Sequence, residues 1–451
     1  MRTRNMTEGS PIKLILAIAL PLMLGNIFQQ MYTVVDTMVV GRGVGMDALA
    51  ALGSSDWFNW LFLGVAQGFA QGFAIPMAQA FGADDRDDLR KYVGNSVLLA
   101  LFTSLVITAI ALLTIRPVLN LLNTPKDIQP LAISYLTVLF AGLPVVMAYN
   151  LLAGVLRSLG DGKSPLYAMI IASFVNIALD VLFVMGFGWG VVGAAAATVI
   201  AQVCSCLFCL YRLRGVEFMK LSRSDFKLDS ARCARLMKLG LPLSMQNAII
   251  AVGGMIVQSV VNPLGVTFIA GYTATNKLYG VLEVAAVSYG YAMSTYSGQN
   301  LGARKVARIR RGSRAGALAG VITAAIIAAC MFLFGRQIVS LFIDAGEADA
   351  EEAIRIAVEY LRLMSAFLPV LYILHVYRSV LQGMGNTLMP MASGLAEFVM
   401  RTGAALLLPG LIGYWGVFWA EVLAWVGADF ILVPAYWADF NKIKALYGEE
   451  E

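Results

Sequence analysis

The sequence predicts an all-α polytopic membrane protein with twelve transmembrane helices in two pseudo-symmetric six-helix lobes. Three observations predict this fold: the composition, the spacing of the apolar runs and an internal repeat. Of the 451 residues, 59% are hydrophobic and 14% are charged, and the mean hydropathy is +0.74. Soluble domains carry about 25% charged residues, so the composition excludes a soluble globular enzyme. The five cysteines form no metal-ligand pattern with the lone histidine, His375.

Twelve apolar runs follow one another along the chain, joined mostly by short connectors. Each run is long enough to cross a hydrocarbon core of about 30 Å as a helix. The runs lie at about 14–40, 55–81, 92–115, 130–156, 164–186, 190–211, 236–260, 270–298, 313–334, 355–380, 388–411 and 414–437.

Basic residues alternate between the ends of these runs and indicate the topology. The densest basic clusters lie between the sixth and seventh runs and after the eighth, whereas other connectors, such as Asp344–Glu352, are acidic. The positive-inside rule then places both termini in the cytoplasm and explains the net charge of +5 without a nucleic-acid partner. The polar start runs straight into a full-length span, so we expect no cleavable signal peptide. We expect a multi-pass protein of the cytoplasmic (inner) membrane.

The second half of the chain repeats landmarks of the first half in the same order. The repeat predicts an N-lobe of helices 1–6 over residues 1–211, a cytoplasmic basic linker over 212–235 and a C-lobe of helices 7–12 over 236–451. Lobes that point the same way are related by an axis along the membrane normal, and such bundles rock around a cavity between them. The matched pairs, about 220 to 226 residues apart, are Pro21 with Pro242, Gln79 with Gln299, Pro144 with Pro369, and Trp189 with Trp415.

Polar side chains on four N-lobe helices fall at nearly one depth. Asn176 and Asp180 are spaced i, i+4 on the fifth helix and therefore share a face. Counting from the helix ends puts Asp36, Tyr135, Asp180 and Thr198 roughly 7–12 Å below the outer face. Carboxylates at this depth usually face a bundle interior or a wet cavity. These oxygens suit a hard cation, or the acids share a proton; the alternative is structural hydrogen bonding between helices.

The second half does not repeat these acids. By the repeat offset, Asp36 and Asp180 align with apolar residues, so we expect ion coupling to be confined to the N-lobe. Glu397 and Arg401, spaced i, i+4, predict a neutralising structural pair. His375 is either a satisfied core histidine or a substrate or proton contact. Glu283 is an alternative titrating site, and the last span contains two further acids without an assigned role, Glu421 and Asp429.

Four stretches of the sequence together carry a family resemblance. They are MTEGSPIKLILAIALPLMLGNIFQQMYTVVDTMVVGR, AQAFGADDRDDLRK, LRSLGDGKSPLYAMIIASFVNIALDVLF and GQNLGARK. In this order they resemble the multidrug and toxic compound extrusion (MATE) family over essentially the whole chain. The resemblance implies a MATE-like, two-lobed antiporter that expels organic cations in exchange for Na⁺ or H⁺ and needs no cofactor.

The resemblance also implies site residues, in the prokaryotic branch that has an N-lobe cation site. Positions matching its substrate cavity are Gln29 and Tyr32, and we add Asn150 and His375 as cavity candidates. A second branch of the family has a glutamate in the seventh helix, and this sequence does not match it, because MQNAIIAVGGMIVQSVV contains no acid. The identity of the coupling ion, Na⁺ or H⁺, therefore stays open. The positions matching the N-lobe cation site are Asp36, Tyr135, Asn176, Asp180 and Thr198.

We therefore expect a cation-coupled antiporter, not an enzyme, that exports cationic amphipathic compounds by alternating access. Its partners would be small organic cations, Na⁺ or H⁺ and membrane lipids, and we expect a monomer. A flippase for lipid-linked saccharides of the same wider superfamily is an alternative, although few Lys or Arg lie mid-span to meet its phosphates. A membrane-embedded transferase is a weaker alternative, because it would need a catalytic His or acid pair near an interface together with a metal or nucleotide motif, and the sequence has none. Direct use of ATP is unsupported, because Gly162-Lys163-Ser164 lacks the first glycine of a phosphate-binding loop.

Overall fold

The computed structural model describes residues 4–122, 124–341 and 349–448, and these are almost entirely helical. Short 3₁₀ turns at Glu217–Met219, Arg223–Phe226 and Asn262–Leu264 and a π-helical turn at Val181–Gly186 interrupt the α-helices. The acidic connector predicted at Asp344–Glu352 begins outside the described residues. The α-helices are α1 (Pro11–Gly43), α2 (Met46–Gly82), α3 (Arg86–Leu121), α4 (Gln129–Ala141), α5 (Leu143–Ser158), α6 (Lys163–Asp180), α7 (Gly190–Arg214), α8 (Ser230–Val261), α9 (Val266–Gly302), α10 (Val306–Val339), α11 (Ala350–Gly383), α12 (Leu388–Leu407), α13 (Pro409–Ile412) and α14 (Trp415–Tyr447).

Twelve long helical segments are present in the described part of the chain. Ten helices are long and apolar enough to cross a membrane, and α4 with α5 forms one more span that is bent by 44°. The twelfth, α9, has 37 residues but lacks a continuous stretch as apolar as those of the other spans. At least one of its polar side chains is satisfied inside the protein: the buried Thr275 donates a hydrogen bond to the Ala357 carbonyl at 2.9 Å. The all-α polytopic fold is thus confirmed.

Two predicted spans are not single α-helices. The run predicted at 130–156 breaks at Gly142, because Pro144 lacks the N–H that a continuous helix requires there. A Cβ on Gly142 would lie 2.4 Å from the Val199 side chain, so this break also lets α7 approach closely. The run predicted at 164–186 is α-helical only to Asp180 and then continues as the π-helical turn.

The chain forms two compact units. Unit 1 contains the N-terminal stretch up to Met6 and Leu20–Ala251, and unit 2 contains Thr7–Ala19 and the chain from Val252 onward. Unit 1 therefore includes the predicted linker and the first part of α8. The predicted lobe boundaries at residues 211 and 235 stay a prediction.

Unit 1 is held by aromatic packing and by one close helix crossing. Phe58 and Phe62 of α2 meet Phe140 of α4 edge to face, with ring centroids 5.2–5.3 Å apart. Helix α2 also crosses α8 so closely that a Cβ on Gly72 would lie 2.4 Å from the Gly240 Cα. Next to this crossing, Ser244 donates a hydrogen bond to the Val65 carbonyl at 2.9 Å.

Unit 2 has its own aromatic core. Tyr360 of α11 stacks on Tyr272 of α9 at 5.2 Å and on Phe418 of α14 at 4.6 Å. Phe268, one turn before Tyr272, stacks on Phe418 at 5.8 Å. These contacts join α9, α11 and α14 at the end of unit 2 where α9 begins.

The α2–α8 crossing generates a prediction about packing. Gly72→Ala adds a methyl group where the α8 backbone lies, so we expect the free energy of unfolding to fall by about 1–3 kcal/mol. Thermal unfolding in detergent measures the change. Gly53→Ala is the matched control, because nothing lies within 4 Å of its added Cβ on the same helix. Equal unfolding midpoints for the two variants would contradict the close crossing.

Candidate functional site

Two acids from distant parts of the sequence meet inside unit 1. Asp36 lies on α1 and Asp180 is the last residue of α6, and their carboxyl groups lie close enough to interact directly. Their residues are 8% and 0% exposed, respectively. A second bond between the helices helps to position them, since Ser173 of α6 donates to the Phe28 carbonyl of α1 at 3.3 Å. The structure therefore brings together the two acids that depth counting had selected.

The end of α6 gives Asp180 a special backbone position. The α-helix stops at Asp180, and the following six residues, Val181–Gly186, adopt the wider π-helical turn. Short π-helical segments inside helices occur frequently at functional sites. The apolar sequence VLFVMG carries no glycine or proline signal for this change until its last residue, and the sequence analysis missed it.

An amide and a hydroxyl lie beside the acids. Asn176 is fully buried one turn before Asp180, and its Nδ2 donates to the Thr198 hydroxyl of α7 at 3.4 Å. Thr198 donates in turn to the Ala194 carbonyl at 3.2 Å. The Asn176 Oδ1 is left without a donor among the described residues.

The group is therefore rich in buried oxygens that lack a donor. Leaving a buried acceptor unsatisfied costs about 1–3 kcal/mol, and more for a charged group. Such oxygens are what a hard cation or an added proton would satisfy. Within the described residues, the unsatisfied atoms are Asp36 Oδ1, Asn176 Oδ1, both carboxyl oxygens of Asp180, and Gln202 Oε1.

Two aromatic residues extend this group. Tyr135 of α4 is 9% exposed and lies within electrostatic range of Asp36 and Asp180. Tyr32 of α1 lies one turn from Asp36, within electrostatic range of both acids, and shares side-chain hydrogen bonds with Gln29 and Gln202. Hereafter we call Asp36, Asn176, Asp180 and Thr198 the acid site.

Gln202 is a member of this neighbourhood that the sequence analysis missed. It lies one turn after Thr198 on α7, so the same i, i+4 spacing that relates Asn176 to Asp180 relates Gln202 to Thr198 and could have identified it.

Asn150, a predicted cavity residue, is bonded within its own helix: its amide donates to the Val146 carbonyl at 2.9 Å. None of the described contacts of Asn150 reaches the acid site.

His375, the remaining cavity candidate, belongs to unit 2. Its Nε2 lies 3.6 Å from a carboxyl oxygen of Glu283 on α9. Its Nδ1 is buried and has no partner among the described residues. The histidine thus neighbours an acid that sequence analysis had considered separately.

Unit 2 also contains a buried chain of alternating charges. The predicted pair of Glu397 and Arg401 is 3.8 Å apart, but each has a closer partner. Arg401 forms two hydrogen bonds of 2.8 Å with Glu421 of α14, and Glu397 bonds to Arg378 of α11. The predicted pair is present, but the i, i+4 rule considers only one helix and does not give these closer partners, which come from neighbouring helices.

Comparisons with known proteins agree with this architecture. The MatE family model matches residues 21–182 and 242–406, one segment in each half. The probable multidrug resistance protein YoeA of Bacillus subtilis (strain 168) is 30% identical over 335 residues, which is 72% of each chain. The probable multidrug resistance protein YpnP of the same strain is 28% identical over 419 residues, covering 92% of this chain and 93% of that protein.

Solved structures show the same fold. The crystal structure of MATE in complex with MaL6 matches with a TM-score of 0.91 and covers 99% of this chain and 100% of that one. Its sequence identity is 24%, so the match establishes the arrangement of the helices.

The buried charge chain generates a prediction about stability. Glu421→Gln replaces the carboxylate that accepts two short hydrogen bonds from Arg401, whose side chain is 7% exposed, by a neutral amide with only one acceptor oxygen. We expect the free energy of unfolding to fall by about 3–5 kcal/mol, as when one partner of a buried pair is removed. Lys442→Gln is the control, because that lysine is 75% exposed in its pair with Asp439 and its loss should cost about 0–1 kcal/mol. The prediction fails if thermal unfolding in detergent gives both variants the same midpoint.

Proposed function

This chain belongs to the MatE family of multidrug efflux transporters, and we propose that it works as a cation-coupled antiporter with Asp36 and Asp180 as its coupling residues. The observation that carries the proposal is the close approach of the two buried carboxyl groups. Two buried carboxylates that interact directly cannot both stay ionised without compensation. The pair therefore has to hold a positive charge, as a shared proton or as a bound cation.

The oxygen atoms of the acid site suit either a Na⁺ ion or a proton. Among the described residues no three His, Cys, Asp or Glu side chains cluster closely enough to hold a metal ion. A Na⁺ ion at the two acids would thus complete its shell with neutral oxygens, for which the unsatisfied Asn176 Oδ1 and the Thr198 hydroxyl are at hand. A proton would need only the two carboxyl groups. In both cases the bound ion is a transported substrate, and it brings one positive charge to the acid site.

Tyr32 connects the acid site to the proposed drug cavity. It lies within electrostatic range of both acids and bonds to Gln29 and Gln202. We infer that a cationic amphipathic drug next to Tyr32 and the coupling ion compete for the same negative charge. Ion entry would then favour drug release, provided that the two ligands differ in affinity between the outward-facing and inward-facing states.

Helix α1 is the element that we expect to bend when a cation or proton binds to the acid site. It carries Asp36 near one end and Pro21 in its interior, where the missing N–H frees a carbonyl and permits bending. We further propose that the transporter acts as a monomer, with both termini in the cytoplasm, as the positive-inside rule indicates.

The flippase alternative gains no support from this geometry. A phosphate headgroup would need basic side chains. Among the described residues, Asp36 and Asp180 form no ion pair with Lys or Arg, and the strongest charges acting on Tyr32 and Tyr135 are those of acids.

A neutral variant tests the coupling proposal. Asp36→Asn removes the charge that lets the pair hold a cation, so we expect dye efflux driven by an imposed Na⁺ or pH gradient to fall to the level of protein-free vesicles. Proteoliposomes with the two gradients imposed separately give the measurement and also identify the ion. Asp47→Asn is the charge-matched control, because Asp47 is an exposed acid at the start of α2. Normal gradient-driven efflux by Asp36→Asn would refute the role of this residue.

A further inference from the structure

The segment that links the two halves of the chain belongs to unit 1 and packs against α3. Residues 215–229, hereafter the linker segment, pack so closely on α3 that a Cβ on Gly94 would lie 2.1 Å from the Asp225 carbonyl oxygen. The buried Asn95 donates to the Lys227 carbonyl at 3.2 Å and accepts from the Asp229 backbone N–H at 2.9 Å. This segment therefore has a fixed position along α3.

At that position the exposed side chains of α3 change from polar to apolar, as expected where a helix enters the lipid. From Val97 onward α3 exposes large apolar side chains, including Leu101 at 56% and Phe102 at 65%. At 1.5 Å per residue, Asn95 lies only about 3 Å along the axis from Val97. Helix α7 ends in the same way, since the exposed Tyr211 is followed by the basic Arg214 and then by the linker segment. The linker segment thus lies at the boundary between hydrocarbon and headgroups.

At this boundary the linker segment exposes two apolar side chains. Leu228 is 73% exposed and Phe226 is 38% exposed, and both flank the point where Asn95 holds the backbone. Full exposure of such side chains to water is unfavourable, whereas an interfacial segment inserts them at the top of the acyl chains.

The same surface carries basic side chains that are not neutralised. Lys220, Arg223 and Lys227 are exposed and form no ion pair within the described part of the chain. The acids near them are mostly engaged: Asp225 is buried and accepts from the Ser222 N–H at 2.7 Å. Among the exposed charged side chains of the linker segment, three are therefore basic and one, Glu217, is acidic.

Asp229, at the end of the linker segment, is also engaged. Backbone hydrogen bonds from Arg232 and Ala231, together with the charge of Arg232, hold the pKa of Asp229 below its usual range. Asp229 therefore stays ionised, and its charge is compensated by the ion pair with Arg232 at the start of α8.

We propose that the linker segment is a binding site for anionic phospholipid, with Lys220, Arg223 and Lys227 on the phosphates and Phe226 and Leu228 in the acyl boundary. A basic residue near an anionic leaflet is attracted by its surface potential, and inserted apolar side chains add to that attraction. This site is separate from the acid site and does not depend on how ions are coupled to drugs.

The test uses the purified full-length protein and two lipids. Equal amounts of phosphatidylglycerol and phosphatidylcholine are added in detergent, and native mass spectrometry measures how much of each the protein retains. We expect preferential retention of phosphatidylglycerol. Replacing Lys220, Arg223 and Lys227 together by Gln should weaken its binding by about a hundredfold, as three basic residues near a lipid surface would.

Two further variants make the result decisive. The charge-matched control replaces the exposed Lys13, Arg314 and Lys442 by Gln and should retain phosphatidylglycerol. Leu228→Asp leaves the three basic residues intact and should also reduce retention, because it prevents insertion. The proposal is overturned if the linker triple variant retains as much phosphatidylglycerol as the control, or if the wild type does not distinguish the two lipids. Either failure leaves the antiporter proposal untouched, because gradient-driven efflux tests that separately.

Discussion

The close approach of two buried carboxyl groups is the constraint on which the rest of the site depends. Asp36 and Asp180 come from α1 and α6, lie almost fully out of solvent and interact directly. A membrane protein does not tolerate two uncompensated charges in that position, so the pair requires a proton or a cation. The unsatisfied oxygens of Asn176 and Gln202 increase that requirement. Reversible loading of this pair is what we propose ties drug export to an ion gradient.

The surrounding helices hold the pair in a way that permits change. Asp180 lies where α6 turns into a π-helical segment, and Asp36 lies on a helix that contains Pro21 about four turns earlier. Helix α6 is therefore irregular at its acid, whereas α1 has its weak point further along the helix. Unit 2 is different in its electrostatics, because each arginine of its buried charge chain faces an acid, as Arg401 faces Glu421. The acid pair of unit 1 has no such arginine among its described neighbours.

The sequence predicted the helical segments, because hydropathy and helix rise determine these features locally, whereas the depth of the acids in the membrane stays a prediction. It did not predict all the partners that meet across helices. Arg401 was assigned to Glu397 by spacing, but Glu421 on α14 lies closer. Local signals existed for the break at Gly142, in Pro144, and for Gln202, in its spacing from Thr198. The assignments of Asn150 and His375 to a drug cavity stay predictions, and Asn150 is bonded to its own helix.

Cation release on drug binding is the most direct test of the shared charge. Saturating tetraphenylphosphonium is added to the purified protein in weakly buffered solution, and the H⁺ and Na⁺ released per protein molecule are counted. The account predicts that one monovalent cation in total is released by the wild type and none by Asp180→Asn. Release that persists in Asp180→Asn, or drug binding by the wild type without any release, would contradict it.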